Sequence, residues 1–190
     1  MDTQVKTDID SLRINGERLW DSLMELAQIG ATPKGGVCRL TLTDLDKQGR
    51  DLVTRWAREA GMTVTIDQIG NGFMRRPGRN NSLPPIMTGS HIDTQPTGGK
   101  FDGNYGVLAG LEVVRTLNDH GIETEAPVEV VFWTNEEGSR FVPVMMGQKT
   151  WDDVLPSQVP FTKDLLDNLA WWTNATKVAR EAEQAAAKAA

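Results

Sequence analysis

Gly89-Ser-His-Ile-Asp-Thr-Gln-Pro-Thr-Gly-Gly-Lys-Phe-Asp-Gly103, joined downstream by Thr134-Asn-Glu-Glu-Gly138, decides the fold. Just before the first stretch, Pro84 to Gly89 reads as a short strand that ends at Ser90-His91. Just after it, Val107, Leu108, Leu111, Val114 and Leu117 recur at helical spacing over about Tyr105 to His120, with Gly121 as the stop. Val128-Glu-Val-Val-Phe-Trp-Thr134 follows, a nearly continuous β-branched and apolar run of the kind that forms a central strand buried on both faces. Strand, helix and strand, with polar residues gathered at both strand C-termini, predict an α/β fold with its site in the crevice at the strand ends.

Working outward toward the N-terminus, Met62 to Ile69 alternates, Gly70-Asn-Gly72 turns, and Phe73-Met-Arg returns, which predicts a hairpin. Thr43 and Asp46 have capping spacing at the head of a helix over about 44 to 60, whose apolar face carries Leu45, Leu52, Val53 and Trp56. Asn15 caps an earlier helix with Leu19, Leu23, Leu26 and Ala27 on its face, Ile14 and Leu19 spaced as a staple, and Gly30 as its end. The glycine-led segment 35 to 43 reads as a strand or an extended loop, and residues 1 to 13 as a polar arm. Toward the C-terminus, Trp151 to Phe161 is loop-like, 162 to 180 is an amphipathic helix, and 181 to 190 is alanine-rich. The expected division is therefore 1–147 and 148–190.

A chain of 190 residues is long enough to bury a core. Its net charge of -6, with no basic stripe, argues against a nucleic-acid partner. No apolar run of membrane-spanning length occurs and the N-terminus is too polar for a signal peptide, so the expectation is no membrane and a cytoplasmic location. The single cysteine, Cys38, fits a reducing compartment and reads as a small strand side chain rather than a nucleophile.

The chemistry lies in five side chains. In a strand-end His-x-Asp, residues two apart face the same way, so Asp93 can accept from one imidazole nitrogen of His91 while the other faces a metal. Asp102, between a Gly-Gly pair and Gly103, is presented at the mouth of the next helix, where a carboxylate can bridge two cations. Glu136 and Glu137 end the hydrophobic strand side by side and diverge, so that one can bind metal and the other take a proton from water. Each residue alone has an ordinary structural reading as a satisfied histidine, a turn aspartate or a solvated charged edge. Together they do not, because a hydrophobic strand gains nothing from two adjacent like charges unless a cation relieves their repulsion. His120, in the last turn of its helix, reads as structural. The glycines fit neither nucleotide-binding spacing, and Ser90 lacks the downstream glycine of a nucleophile elbow.

Gly89-Ser-His-Ile-Asp, Gly98-Gly-Lys-Phe-Asp-Gly103, Gly106-Val-Leu-Ala-Gly110 and Thr134-Asn-Glu-Glu-Gly-Ser-Arg-Phe141 closely resemble the N-carbamoyl-L-amino-acid hydrolase, β-ureidopropionase and allantoate amidohydrolase group. That group belongs to the dinuclear zinc aminoacylase and carboxypeptidase-like metallohydrolases, and the resemblance covers about residues 12 to 147. It implies a three-layer sandwich with a mixed sheet, here the N-terminal part of the catalytic domain followed by a helical tail. It also implies two divalent metal ions, zinc or else manganese or cobalt, with His91 as a ligand, Asp93 orienting it, Asp102 bridging, Glu136 as general base and Glu137 as a ligand of the second metal. The implied substrates are small N-carbamoyl or ureido compounds, cleaved at a C–N bond. Members of the group form homodimers through an inserted lid domain and supply two further histidine ligands beyond the matching region. This chain has neither the lid nor those histidines, so full metal occupancy is not expected of it alone. The helix Asp164 to Arg180 is faintly similar to the last helix of NADPH-dependent FMN reductases, which would make the tail a fused or rearranged end.

Three functions compete on these grounds. The first is a metal-dependent amidohydrolase, truncated and inactive alone. The second is a non-catalytic truncated or fused fragment that binds metal weakly, and the third a flavin-binding module built on the tail.

Overall fold

The structure, a computed structural model, describes residues 12–149. The chain divides into two units, Met1–Gln148 and Lys149–Ala190, and every element below belongs to the first. In order these are α1 (Gly16–Leu26), α2 (Asp44–Glu59), β1 (Thr63–Ile66), β2 (Gly72–Arg76), β3 (Ile86–His91), α3 (Asn104–Asp119) and β4 (Val128–Trp133).

The four strands form one mixed sheet in the order β1-β2-β4-β3. Strands β1 and β2 are the expected antiparallel hairpin, β2 runs antiparallel to β4, and β3 runs parallel to β4. The near-continuous apolar run of β4 is thus explained by its place between two partners, with Val130, Val131 and Phe132 all buried. Register does the rest: His91 lies opposite Trp133. Strands β3 and β4 therefore finish level, and the segments that follow them leave the sheet from the same edge.

The helices form where local chemistry favours them. Asn15 caps α1 by accepting from the Arg18 amide at 3.0 Å, and Thr43 caps α2 by accepting from the Asp46 amide at 3.3 Å. The expected staple between Ile14 and Leu19 does not close over α1, because Ile14 is exposed while Leu19 is buried. The entry of α1 is tied down instead by the Asn15 amide, which donates to Glu112 of α3 at 3.2 Å. The helix itself stops at Leu26, and turns carry the chain on to Gly30. Segment 35–43 is an extended loop rather than a strand. Its backbone is spent on isolated bridges from Val37 to Ala31 and Gly98. Leu45, expected on the apolar face of α2, is exposed in the first turn, whereas Leu52, Val53 and Trp56 are buried.

All three helices join one apolar core. Leu19, Leu23 and Leu26 of α1, Leu52, Val53 and Trp56 of α2, and Val107, Leu108, Leu111 and Val114 of α3 pack with Met74, Val130 and Phe132 of the sheet. The described residues thus supply the mixed sheet and a helical layer on it. Leu111 is fully buried in that core. Its truncation to alanine is expected to cost about 2–5 kcal/mol, read as a lower denaturant midpoint with unchanged slope.

Candidate metal centre

Both halves of the site stand at the shared edge. His91 is the last residue of β3 and is almost entirely buried, while Asp93 follows it and is buried too. Asp102 immediately precedes Gly103, which caps α3 with a φ of 68° and no side chain to contribute. Beyond β4, Asn135 adopts a φ of 54°, a conformation that asparagine tolerates better than most residues. Its Nδ2 donates to the carbonyls of Phe141 (2.8 Å) and Pro143 (3.2 Å). The Glu136 carbonyl accepts from the Met145 amide at 2.7 Å. The loop after β4 therefore folds back on itself and fixes where Glu136 and Glu137 emerge.

The structure brings four of the five predicted residues together around the imidazole. His91 Nδ1 lies 2.9 Å from the main-chain oxygen of Asp93. A carbonyl only accepts, so this nitrogen carries a hydrogen, and Nε2 is the nitrogen turned toward the carboxylates. Nε2 lies 3.3 Å from Glu136 Oε2 and 3.9 Å from Asp102 Oδ1. Glu137 turns the other way, accepting from Gln95 Nε2 at 2.9 Å. The two adjacent glutamates thus diverge.

The carboxylate of Asp93 does something other than expected. One of its oxygens lies 3.6 Å from Nδ1, but its bonds come from the amides of Glu136 (3.3 Å) and Glu137 (3.4 Å). Asp93 thereby ties the end of β3 to the Glu136-Glu137 turn, while its backbone orients the imidazole. Burial pushes the Asp93 carboxyl above the usual carboxylate range, and neighbouring His91 and the two amides oppose that push.

These residues fit a divalent cation in the chemistry of their donors. One imidazole nitrogen and carboxylate oxygens are the donor types that zinc, manganese or cobalt accept. Gly103 leaves room for the ring itself, since a Cβ there would fall 2.5 Å from Cε1, 2.5 Å from Nε2 and 2.6 Å from Cδ2, on the face of the imidazole. Among the described residues no group of three or more such side chains is placed to hold a metal ion.

Sequence reading missed the supports. Gln95, which holds Glu137, and Thr94 and Asn104, which pair with the buried Arg39, carry no motif of their own. Their roles arise from contacts between segments far apart in the chain.

The chain is similar to known proteins. Peptidase family M20/M25/M40 matches residues 87–182, half of the chain. The chain belongs to this family. Within it, the chain is 55% identical over 137 residues to an N-carbamoyl-L-amino-acid amidohydrolase of Rhizobium meliloti, covering 72% of this chain and 33% of that protein. It is 46% identical over 151 residues to an N-carbamoyl-L-amino acid amidohydrolase of Geobacillus stearothermophilus, covering 80% and 37%. The crystal structure of an amidase of the hydantoinase/carbamoylase family from Burkholderia multivorans superposes with a TM-score of 0.70 at 72% identity, over 70% of this chain and 33% of the other. The chain therefore spans about a third of the length of these M20-family relatives. The family match continues to residue 182, across the tail in which the expected loop, helix and reductase-like end lie; those expectations fall outside the described residues. No helix among the described residues is long and apolar enough to cross a membrane.

Proposed function

We propose that the site is the first half of a dinuclear metal centre, zinc-type, in an amidohydrolase that cleaves the carbamoyl C–N bond of N-carbamoyl-L-amino acids or related ureido compounds. One observation carries the reading: a buried imidazole that commits its Nδ1 hydrogen to a carbonyl turns Nε2 toward two carboxylates. An imidazole nitrogen facing two carboxylates calls for a cation between them, a proton or a metal ion, and an imidazole with carboxylates is a donor set that suits the metal ion. The names of the relatives support the substrate class.

On this reading His91 Nε2 and Asp102 would hold one ion and Asp102 with Glu137 a second, Glu137 being kept in place by Gln95. The pair of ions supplies Lewis acidity toward the attacking water and the ureido carbonyl. Glu136 takes the proton from the water as its oxygen adds to the ureido carbon. The same carboxyl then returns that proton to the departing nitrogen as the C–N bond breaks. Asp93 keeps the two glutamates level with His91 through its pair of amide bonds. The division of the chain at Gln148 supports a partial catalytic domain over 1–147 set apart from the tail over 148–190, although the family match runs on to residue 182. The lone Cys38 thiol suits the cytoplasm.

Calorimetric titration with zinc tests the reading. The wild-type protein is expected to bind in the micromolar range or tighter, and His91→Ala to lose that binding by at least about tenfold. Superimposable isotherms would leave only the non-catalytic fragment.

A further inference from the structure

Behind the site lies a fully buried arginine that the catalytic reading does not use. Arg39 Nε donates to the main-chain oxygen of Ile92 at 3.2 Å, and Nη2 donates to Asn104 Oδ1 at 2.9 Å. Its Nη1 donates to the carbonyls of Leu26 (3.0 Å) and Ile29 (2.9 Å) at the end of α1. The Arg39 amide donates to Thr94 Oγ1 at 2.7 Å, and the Arg39 carbonyl accepts from the Thr94 amide at 2.9 Å. Ile92 sits between His91 and Asp93. Asn104 stands two residues after Asp102 and donates to the Lys100 carbonyl, two residues before it, at 3.1 Å. One side chain therefore clamps the segments that carry His91 and Asp102, and ties them to α1.

The cost of this arrangement shows that it is not simple packing. A buried guanidinium loses its hydration, and an apolar side chain of similar volume would fill the space without that loss. Burial pushes the Arg39 guanidinium down to about 10, with the carboxylates of Asp46 and Asp93 opposing the push. Room is kept for it: a Cβ on Gly49 would come 3.2 Å from Arg39 Cδ, and one on Gly30 would come 3.2 Å from its Cγ. What the charge and the planar donor fork add over an apolar group is a fixed placement of several acceptors at once.

We propose that Arg39 is a positioning residue that fixes the separation of the His91 imidazole from the Asp102 carboxylate, and hence the gap that a cation fills. It rests on the metal reading above for its functional meaning. It acts through Ile92 and Asn104 and touches no reacting atom.

The test uses Arg39→Lys, which keeps the charge but loses the fork, and Asn104→Ala, which removes one acceptor and leaves the carbonyl bonds. Two readouts apply to the folded full chain: the ring resonances of His91 by nitrogen NMR without metal, and the zinc isotherm. The chain has two histidines, so a His91→Ala sample assigns the signal. Arg39→Lys is expected to shift the His91 resonances and weaken zinc binding at least about tenfold, with Asn104→Ala following in the same direction. Leu111→Ala, destabilised in the core, is expected to leave both readouts in place. His91 resonances at wild-type positions in both variants overturn the proposal, and Asn104→Ala decides alone if Arg39→Lys does not fold. Wild-type zinc binding no stronger than that of His91→Ala would instead sink the metal reading, and the ring resonances would still decide the placing role of Arg39.

Discussion

Glu136→Gln is expected to lower hydrolysis of an N-carbamoyl amino acid by metal-loaded protein about 10²–10⁴-fold while changing zinc affinity little. The asymmetry follows from the site. Glutamine keeps the size and one oxygen of the side chain that lies 3.3 Å from His91 Nε2, but it cannot accept a proton near neutral pH. Glu137, held by Gln95 on the other side, cannot replace it without giving up that bond. The measurement is a steady-state rate of amine release, paired with a zinc isotherm on the same sample. Equal rates for wild type and variant would remove the enzymatic assignment from this chain, and an equal loss of rate and zinc binding would make Glu136 a ligand rather than a base.

Gly103→Ala is expected to remove zinc binding at His91 with the fold retained. Two costs arise at this position. Its φ of 68° with ψ of -48° lies where side chains are strained, by about 1–3 kcal/mol. Beyond that, the new methyl would fall 2.5 Å from Nε2, 2.5 Å from Cε1 and 2.6 Å from Cδ2, onto the face of the imidazole, so the ring would have to move from its place beside the carboxylates. The imidazole cannot retreat easily, because it is buried and held by the Asp93 carbonyl. Gly121→Ala separates the two costs. That glycine has a similar φ of 62° and nothing within 4 Å of the added Cβ, so it carries backbone strain of about 1–2 kcal/mol and no clash. The expected pattern is lower stability in both variants and a loss of zinc affinity, at least about tenfold, in Gly103→Ala alone. Matching isotherms for the two alanine variants would mean that Gly103 serves the chain turn and not the ring.

The sequence by itself determined the elements and the identity of the polar groups. Local signals were sufficient for these. Asn15 and Thr43 cap the helices they were expected to cap, Gly70-Asn-Gly72 turns the hairpin, and the apolar run from Val128 marked the central strand. His91, Asp93, Asp102, Glu136 and Glu137 were legible because each stands where a periodic pattern stops. Local signals failed where a partner distant in sequence decided the outcome. Ile14 had staple spacing but lies exposed, and segment 35–43, which spacing left open between a strand and an extended loop, is the loop because Val37 makes only isolated bridges.

Only the tertiary structure decided how the polar groups act on one another. Spacing alone let the Asp93 carboxylate take the imidazole hydrogen; the folded chain gives that hydrogen to the Asp93 carbonyl and turns the carboxylate to the amides of Glu136 and Glu137. The reason is register. His91 and Trp133 end level, so the turn after β4 arrives beside Asp93 with two unpaired amides, and a buried carboxylate is most stable where such donors converge. Arg39 was silent in the sequence for the same reason, since its partners at 26, 29, 92, 94 and 104 become neighbours only when α1, β3 and α3 close on one another.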